Sequence, residues 1–337
     1  MDFFAHRLLG WYDEHGRHDL PWQVADGYRR WLSEIMLQQT TVHTVIPYYQ
    51  RFIARFPDIH SVALASQDEV LALWAGLGYY ARGRHLWATA KIIVERYQGI
   101  FPRTLEALLA LPGIGRSTAG AILAFTYDIR APILDANVRR VLSRYHGVDA
   151  RSALGRDQLW DLADSHTPDT RVADYSQAIM DLGALVCRRQ PQCTACPLTV
   201  RCAFDGEIKV ISSRPKPKRQ TCFVVAHDGS GRVFLVRRPQ TGIWGGLWSL
   251  PECVQAEDWA VALAAWDLVG DAENPWPIRR HTFTHFTLTI TPVPVRVDPR
   301  YARSTAREDR MWYDLADQAP GVPAPVHRLL DHLRKTL

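Results

Sequence analysis

No apolar run in this 337-residue chain approaches the roughly 20 residues that a bilayer span requires, which argues against a membrane protein. The opening Met1-Asp-Phe-Phe-Ala-His-Arg lacks the cationic, apolar, small-residue order of a secretory signal and reads as the start of an amphipathic helix. Internal repeats and low-complexity tracts are missing as well, which argues against a repeat array. Strong charge of one sign is also absent: 40 Lys and Arg against 35 Asp and Glu leave +5. Position therefore says more than total, and the basic groups fall in Arg82-Gly-Arg84-His85, Arg139-Arg140, Arg188-Arg189 and Arg214-Pro-Lys-Pro-Lys-Arg219. Cysteine is scarce outside one place, since four of the six crowd into sixteen residues. Cys222 and Cys253 stand apart and are expected to be structural. These absences together lead to the expectation of a reduced, cytoplasmic protein.

The four crowded cysteines, Cys187, Cys193, Cys196 and Cys202, follow C-x5-C-x2-C-x5-C. That spacing matches neither zinc-finger arithmetic nor the ferredoxin run, yet four thiolates on one short loop suffice for a tetrahedral metal site. Two disulfides are the rival reading and would need an oxidising compartment. At 337 residues, two domains are expected. Apolar residues recur at three and four along Trp31 to Thr41, Glu69 to Leu77, His85 to Tyr97, Thr118 to Phe125 and Val138 to Tyr145, which predicts helices almost throughout 1–186, punctuated by Gly and Pro. From Thr221 the pattern changes. Short strands over 221–226 and 232–237 flank the hairpin signal Asp228-Gly-Ser-Gly231, followed by a helix over 257–268, a β-type run over 282–297, a strand over 311–313 and a last helix after Pro325.

Pro112-Gly-Ile-Gly115 has a specific physical use. Gly113 and Gly115, immediately before a helix beginning near Arg116, let backbone approach an anion while the first helical N–H groups point at it. A plain turn between helices is the alternative; as a phosphate seat it would grip a DNA backbone without reading sequence.

Six segments occur in an order that resembles the helix-hairpin-helix DNA glycosylases with an iron–sulfur loop, and among them the adenine DNA glycosylases. They are Trp31-Leu-Ser-Glu-Ile-Met-Leu-Gln-Gln-Thr40, Gly76-Leu-Gly-Tyr-Tyr-Ala-Arg82, Leu111-Pro-Gly-Ile-Gly-Arg-Ser-Thr-Ala-Gly120, Ile133-Leu-Asp-Ala-Asn-Val-Arg139, Met180-Asp-Leu-Gly-Ala184 and the cysteine loop. The resemblance implies a mainly α N-terminal region, a six-helix module plus a 4Fe-4S module, over 1–205 with its loop at 187–202. A linker over 206–220 joins it to an α/β Nudix-like C-terminal domain over 221–337. It further implies a monomer that excises adenine mispaired with 8-oxoguanine or guanine in double-stranded DNA, with a 4Fe-4S cluster on the four cysteines. The loop holds five residues between Cys187 and Cys193 where the usual bacterial pattern holds six.

Breaking an N-glycosidic bond puts positive charge on the sugar and negative charge on the departing base, so two carboxyls can divide the work. In the resemblance Glu34 is the acid that protonates adenine at N7 and then helps to activate water. Asp135, which also reads as an N-cap, faces the sugar with Asn137 nearby. Ser117 stands where bifunctional relatives carry an imine-forming lysine, which predicts base removal by water with the strand left intact. Gln39 and Tyr79 match intercalating positions. Trp22, Gln23 and Gln177 match the adenine pocket, and Gln38 lies on the helix face of Glu34. In the C-terminal half, Gly242-Ile-Trp-Gly-Gly-Leu-Trp248 is similar to a Nudix fold, while 249–257 lacks the paired glutamates of pyrophosphate hydrolysis. Phe283, Thr284 and His285 match a lesion-reading loop in which serine is the usual middle residue. An endonuclease III-like glycosylase with lyase activity and a non-catalytic lesion sensor are the rival functions.

Overall fold

A computed structural model of the chain describes residues 1–206, 215–298, 300–301, 307–317 and 320–337. The chain divides into two compact units, the first comprising Met1–Leu64 and His85–Ile211 and the second Ala65–Arg84 and Ser212–Leu337. The boundary therefore differs from a cut at 205, because residues 65–84 belong with the C-terminal unit. Asp68 explains this: it accepts from Trp248 Nε1 at 3.2 Å and pairs with Arg237, while Arg84 donates to the Gly245 carbonyl. Of the expected linker 206–220, residues 207–214 lie outside the described residues, and from Lys218 the chain is already strand.

The helices are α1 (Phe3–His15), α2 (Gly27–Leu37), α3 (Val42–Arg55), α4 (Ile59–Leu64), α5 (Gln67–Trp74), α6 (Ala81–Tyr97), α7 (Leu105–Leu109), α8 (Arg116–Tyr127), α9 (Ala136–His146), α10 (Ala153–His166), α11 (Val172–Asp181), α12 (Trp259–Ala264) and α13 (Ala324–Thr336). Side-chain caps fix many of their starts: Asp2, Asp26, Thr41 and Asp135 each accept a backbone N–H of the first turn, and Ser66 with Glu69 forms a capping box. α2 and α5 end before their periodicity predicts, α5 at Trp74 ahead of Gly76 at φ 96°. α2 stops at Leu37 because Gln39 takes φ 58°, and Thr41 caps α3 instead of continuing the face of Glu34. The first unit is built around Phe4, Leu8, Val138, Leu142, Leu159, Tyr175, Ile179 and Leu182, contributed by α1, α9, α10 and α11 and by the π-helical turn after α11.

The second unit contains a mixed sheet of β1 (Lys218–His227), β2 (Arg232–Arg237), β3 (Trp248–Ser249), β4 (Glu252–Cys253), β5 (Gly270–Ala272), β6 (Arg279–Thr282), β7 (Thr287–Val297) and β8 (Arg310–Asp314). β1 and β7 run parallel at its centre, from Lys218 opposite Thr287 to His227 opposite Arg296. Cys222 lies directly across from Cys253, and both are free thiols within the packed sheet. The β-type run over 282–297 is not continuous. It reverses at 283–286, where Phe283 N–H donates to the Phe286 carbonyl at 2.8 Å, so β6 pairs antiparallel with β7. The helix expected over 257–268 forms as a short 3-10 turn plus α12, and Asp267 at φ 59° prevents its extension.

Candidate active site

Glu34 sits in the third turn of α2, whose opposite side, Trp31, Leu32, Ile35 and Met36, is buried to 2% exposure or less. That buried side fixes the rotation of the helix and leaves Glu34 half-buried. Burial is the main influence on its carboxyl, the charge of Asp135 is the second, and Arg30 opposes both; the pKa is pushed up to about 7. Asp135 caps α9 by accepting Val138 N–H at 2.7 Å, so the bland and the chemical readings of this residue coincide. Burial raises its pKa too, against hydrogen bonds from the Val138 and Asn137 backbone and the charge of Arg140. A carboxyl that holds its proton near neutrality beside one stabilised by several donors is what acid and anion roles require.

The extended segment before Asp135 is held by α8. Ser117 Oγ accepts Leu134 N–H at 3.0 Å, and a Cβ on Gly120 would meet the Pro132 carbonyl oxygen at 2.4 Å. From the other side Gly183 does the same for Asn137, since its Cβ would lie 2.6 Å from the Asn137 Cβ. Asn137 Nδ2 approaches Asp135 Oδ2 at 3.5 Å, and Asn137 Oδ1 accepts from Arg140 at 2.7 Å.

Along the chain, Arg139-Arg140 reads as one basic pair. On a helix adjacent residues point about 100° apart, and here Arg139 is exposed while Arg140 turns inward to donate to the Gly183 carbonyl at 2.6 Å and the Cys187 carbonyl at 2.7 Å. One turn on, Arg144 donates to the Arg188 and Arg189 carbonyls at 2.6 and 3.0 Å. Asp135, Asn137, Arg140 and Cys187 are thus joined by consecutive contacts. The role of Arg140 was not legible in the sequence, because nothing in its spacing says which arginine faces inward.

The four loop cysteines are free thiols that line one cavity of about 110 Å³ together with Arg144, Tyr145, Leu198 and Phe204. Among the described residues, no three His, Cys, Asp or Glu side chains converge on a point as ligands of a single ion would.

The pocket candidates lie deeper than expected. Trp22 is 2% exposed and packs edge-on against Tyr49 at 5.3 Å. Gln23 uses its carboxamide locally, accepting from Leu20 N–H at 3.0 Å and donating to the Arg17 carbonyl at 2.6 Å. Gln177, 6% exposed, donates to Asp181 at 2.7 Å, and fully buried Asp181 pairs with Arg17 at 2.6 Å. The Arg17–Asp181 pair therefore ties the segment bearing Trp22 and Gln23 to α11, a link that the sequence did not reveal.

Gln38 is also committed, donating to Thr118 Oγ1 at 3.3 Å and reaching the Gly113 carbonyl at 3.5 Å. Gly113 needs to be glycine: φ is 75° and a Cβ would meet His85 at 2.8 Å. Gly115 caps α8 and makes no side-chain hydrogen bond to its first turn. Gln39 and Tyr79 are exposed and both take left-handed conformations, φ 58° and 49°. Non-glycine residues held there cost of order 1 kcal/mol and cluster at functional positions. In the second unit, Phe283 stacks on Phe286 at 4.3 Å and is itself half-buried, so Thr284 and His285 alone stand exposed at the tip of the β6–β7 turn.

Residues 32–162 match the model of the HhH-GPD superfamily base excision DNA repair proteins and residues 221–332 that of the NUDIX domain. The chain is 36% identical over 346 residues to the adenine DNA glycosylase of Buchnera aphidicola subsp. Baizongia pistaciae, covering 98% of this chain and 97% of that one. It is 34% identical to the human adenine DNA glycosylase, covering 85% of this chain and 65% of that one. Among solved structures, a thermostable thymine-DNA glycosylase is similar with TM-score 0.55 at 28% identity, covering 60% of this chain and 94% of that one. Endonuclease III bound to DNA shares the fold at TM-score 0.52 and 19% identity, covering 59% of this chain and 92% of that one. Near-full-length identity of this order, over a chain that joins both domains, means that this protein belongs to the adenine DNA glycosylase family.

Proposed function

We propose that this enzyme removes adenine mispaired with 8-oxoguanine or guanine from double-stranded DNA by hydrolysis, leaving an abasic site in an intact strand. The pairing of Glu34, whose proton is retained near neutrality, with Asp135 carries the reading. Extrusion of adenine costs a few kcal/mol, roughly the unstacking and unpairing of one base. Gln39 and Tyr79 fill the gap, and Gly113, Gly115 and the start of α8 hold a phosphate. Trp22, Gln23, Gln38 and Gln177 shape the base pocket from behind, through the contacts that fix its walls.

Glu34 gives its proton to adenine N7 as the glycosidic bond breaks. Asp135, oriented by Asn137 and its cap to Val138, stabilises the positive sugar. A water then adds to the sugar carbon and returns a proton to Glu34. Ser117 has no amine, so no imine forms and no strand breakage follows. Thr284 and His285 contact the 8-oxoguanine partner, with Phe283 as the packed base of their turn.

Cys187, Cys193, Cys196 and Cys202 would hold a 4Fe-4S cluster. Four free thiols line one cavity there, and four cysteine thiolates are the donor set that such a cluster takes. When bound, the cluster supplies structural shape to the loop that carries Arg188 and Arg189. The protein acts as a monomer in the cytoplasm; among the described residues no helix is long and apolar enough to cross a membrane.

Incubation with a labelled duplex containing adenine opposite 8-oxoguanine, beside adenine opposite thymine, tests this. Breakage at the mispaired adenine only after alkali is expected. Breakage without alkali would favour an endonuclease III-like lyase, and tight binding without turnover a lesion sensor.

A further inference from the structure

A half-buried guanidinium lies one helical turn before the acid. Arg30 precedes Glu34 by four residues on α2, so the two side chains share a face of the helix. Its Nε donates to the Val24 carbonyl at 3.1 Å, and its guanidinium carbon sits 4.8 Å from the centre of the Phe125 ring. Burial lowers its pKa, and the groups that counter this are Glu34, Tyr12 and Tyr49. Tyr12 on α1 and Tyr49 on α3 are themselves pushed up to about 12 by burial, so both remain neutral in the working range. The charges that bear on Glu34 are then Asp135 at the head of α9, which raises its proton affinity, and Arg30, which lowers it. In a partly desolvated site, opposite charges on neighbouring turns of one helix act on each other with more force than they would in water.

We propose that Arg30 is a positioning residue that makes Glu34 a stronger acid, by stabilising the carboxylate left behind when the proton moves to adenine. The inference rests on the reading of Glu34 as the acid. The proton passes from the Glu34 carboxyl to N7, the electron pair of the glycosidic bond moves into the base, and neutral adenine leaves. Water contributes hydroxide to the sugar carbon and a proton to the Glu34 carboxylate, which restores the starting state. Between these steps the site holds two carboxylates, Glu34 and Asp135, and Arg30 is the cation on the Glu34 side. The Phe125 face and the Val24 carbonyl hold the guanidinium in place without neutralising it.

Single-turnover excision measured against pH separates this role from a structural one. A general acid works only while protonated, so the wild-type rate should fall on the alkaline side, and Glu34→Gln should lack that limb. Arg30→Met is expected to move the alkaline limb up by about one pH unit, the usual size of losing a neighbouring opposite charge. It should also lower the plateau, because a weaker acid transfers its proton more slowly. Arg30→Lys, which keeps the charge, should restore both. Arg30→Gln, which keeps a donor for the Val24 carbonyl, carries the same prediction where the methionine variant is unstable. A plateau that falls with the limb unmoved would make Arg30 a packing residue and overturn the proposal. Wild-type turnover in Glu34→Gln would instead remove the reading on which it rests.

Discussion

Ser117 Oγ accepts the backbone N–H of Leu134 at 3.0 Å, one residue before Asp135. The serine proposed to withhold imine chemistry from this site therefore also braces the segment that carries Asp135. Ser117→Ala leaves that N–H without its partner and should cost about 1–2 kcal/mol. Urea unfolding should show a lower midpoint at unchanged slope, and an unchanged midpoint would mean that water replaces the hydroxyl.

Removal of the acid should be far more costly to turnover than to binding. Glu34→Gln is expected to lower single-turnover adenine excision by about 10²–10⁴-fold, the usual contribution of a general acid. Duplex affinity should stay within a few-fold. Near-normal excision would withdraw the assignment.

The same residue should weaken the fold as pH rises. The Glu34 pKa is raised from 4.5 to about 7 in the folded chain, so between those values the native state binds more protons than the unfolded one. Its contribution to stability is therefore present below pH 4.5 and lost as pH climbs through about 7. Glu34→Gln should raise the thermal midpoint more at pH 8 than at pH 5, and equal shifts at both would argue against a displaced titration.

Gly183→Ala tests the wall behind Asn137. The added methyl would lie 2.6 Å from the Asn137 Cβ, closer than packed carbons approach, so α9 must shift or Asn137 must turn. Excision should fall at least tenfold through misplacement of the Asp135 segment. Retained activity with normal stability would show that the π-helical turn yields instead.

Thr284→Ala with His285→Ala removes the two side chains exposed at the tip of the β6–β7 turn and leaves the stacked Phe283 and Phe286 in place. Folding should be unaffected. The preference for adenine opposite 8-oxoguanine over adenine opposite guanine should drop, and an unchanged ratio would take lesion recognition away from this turn.

The helical first half, the strand-rich second half and the order of the motifs were legible along the chain, because periodicity and turn chemistry are local. Glu34 and Asp135 were singled out by the resemblance, since local pattern alone offers a glutamate on a helix whose apolar side sets its rotation and an aspartate that caps another. The end of α2 was not legible, since φ 58° at Gln39 is a conformation that tertiary contacts impose on a residue without glycine's freedom. Nor did the long β-type run announce its reversal, where Phe283 stacks back on Phe286 and Arg279–Thr282 pairs with Thr287–Ile290.

What the sequence by itself determined is the set of chemical groups: two carboxyls, a serine where lysine would change the reaction, two glycines before a helix and four cysteines on one loop. Only the tertiary structure decided which of them work together. Arg140 rather than Arg139 meets Asn137 and the cysteine loop, Arg17 closes on buried Asp181, and residues 65–84 join the C-terminal unit through Asp68. Those choices depend on which face of a helix is desolvated and which distant charge arrives to compensate it, and neither is written in the spacing of residues along one chain.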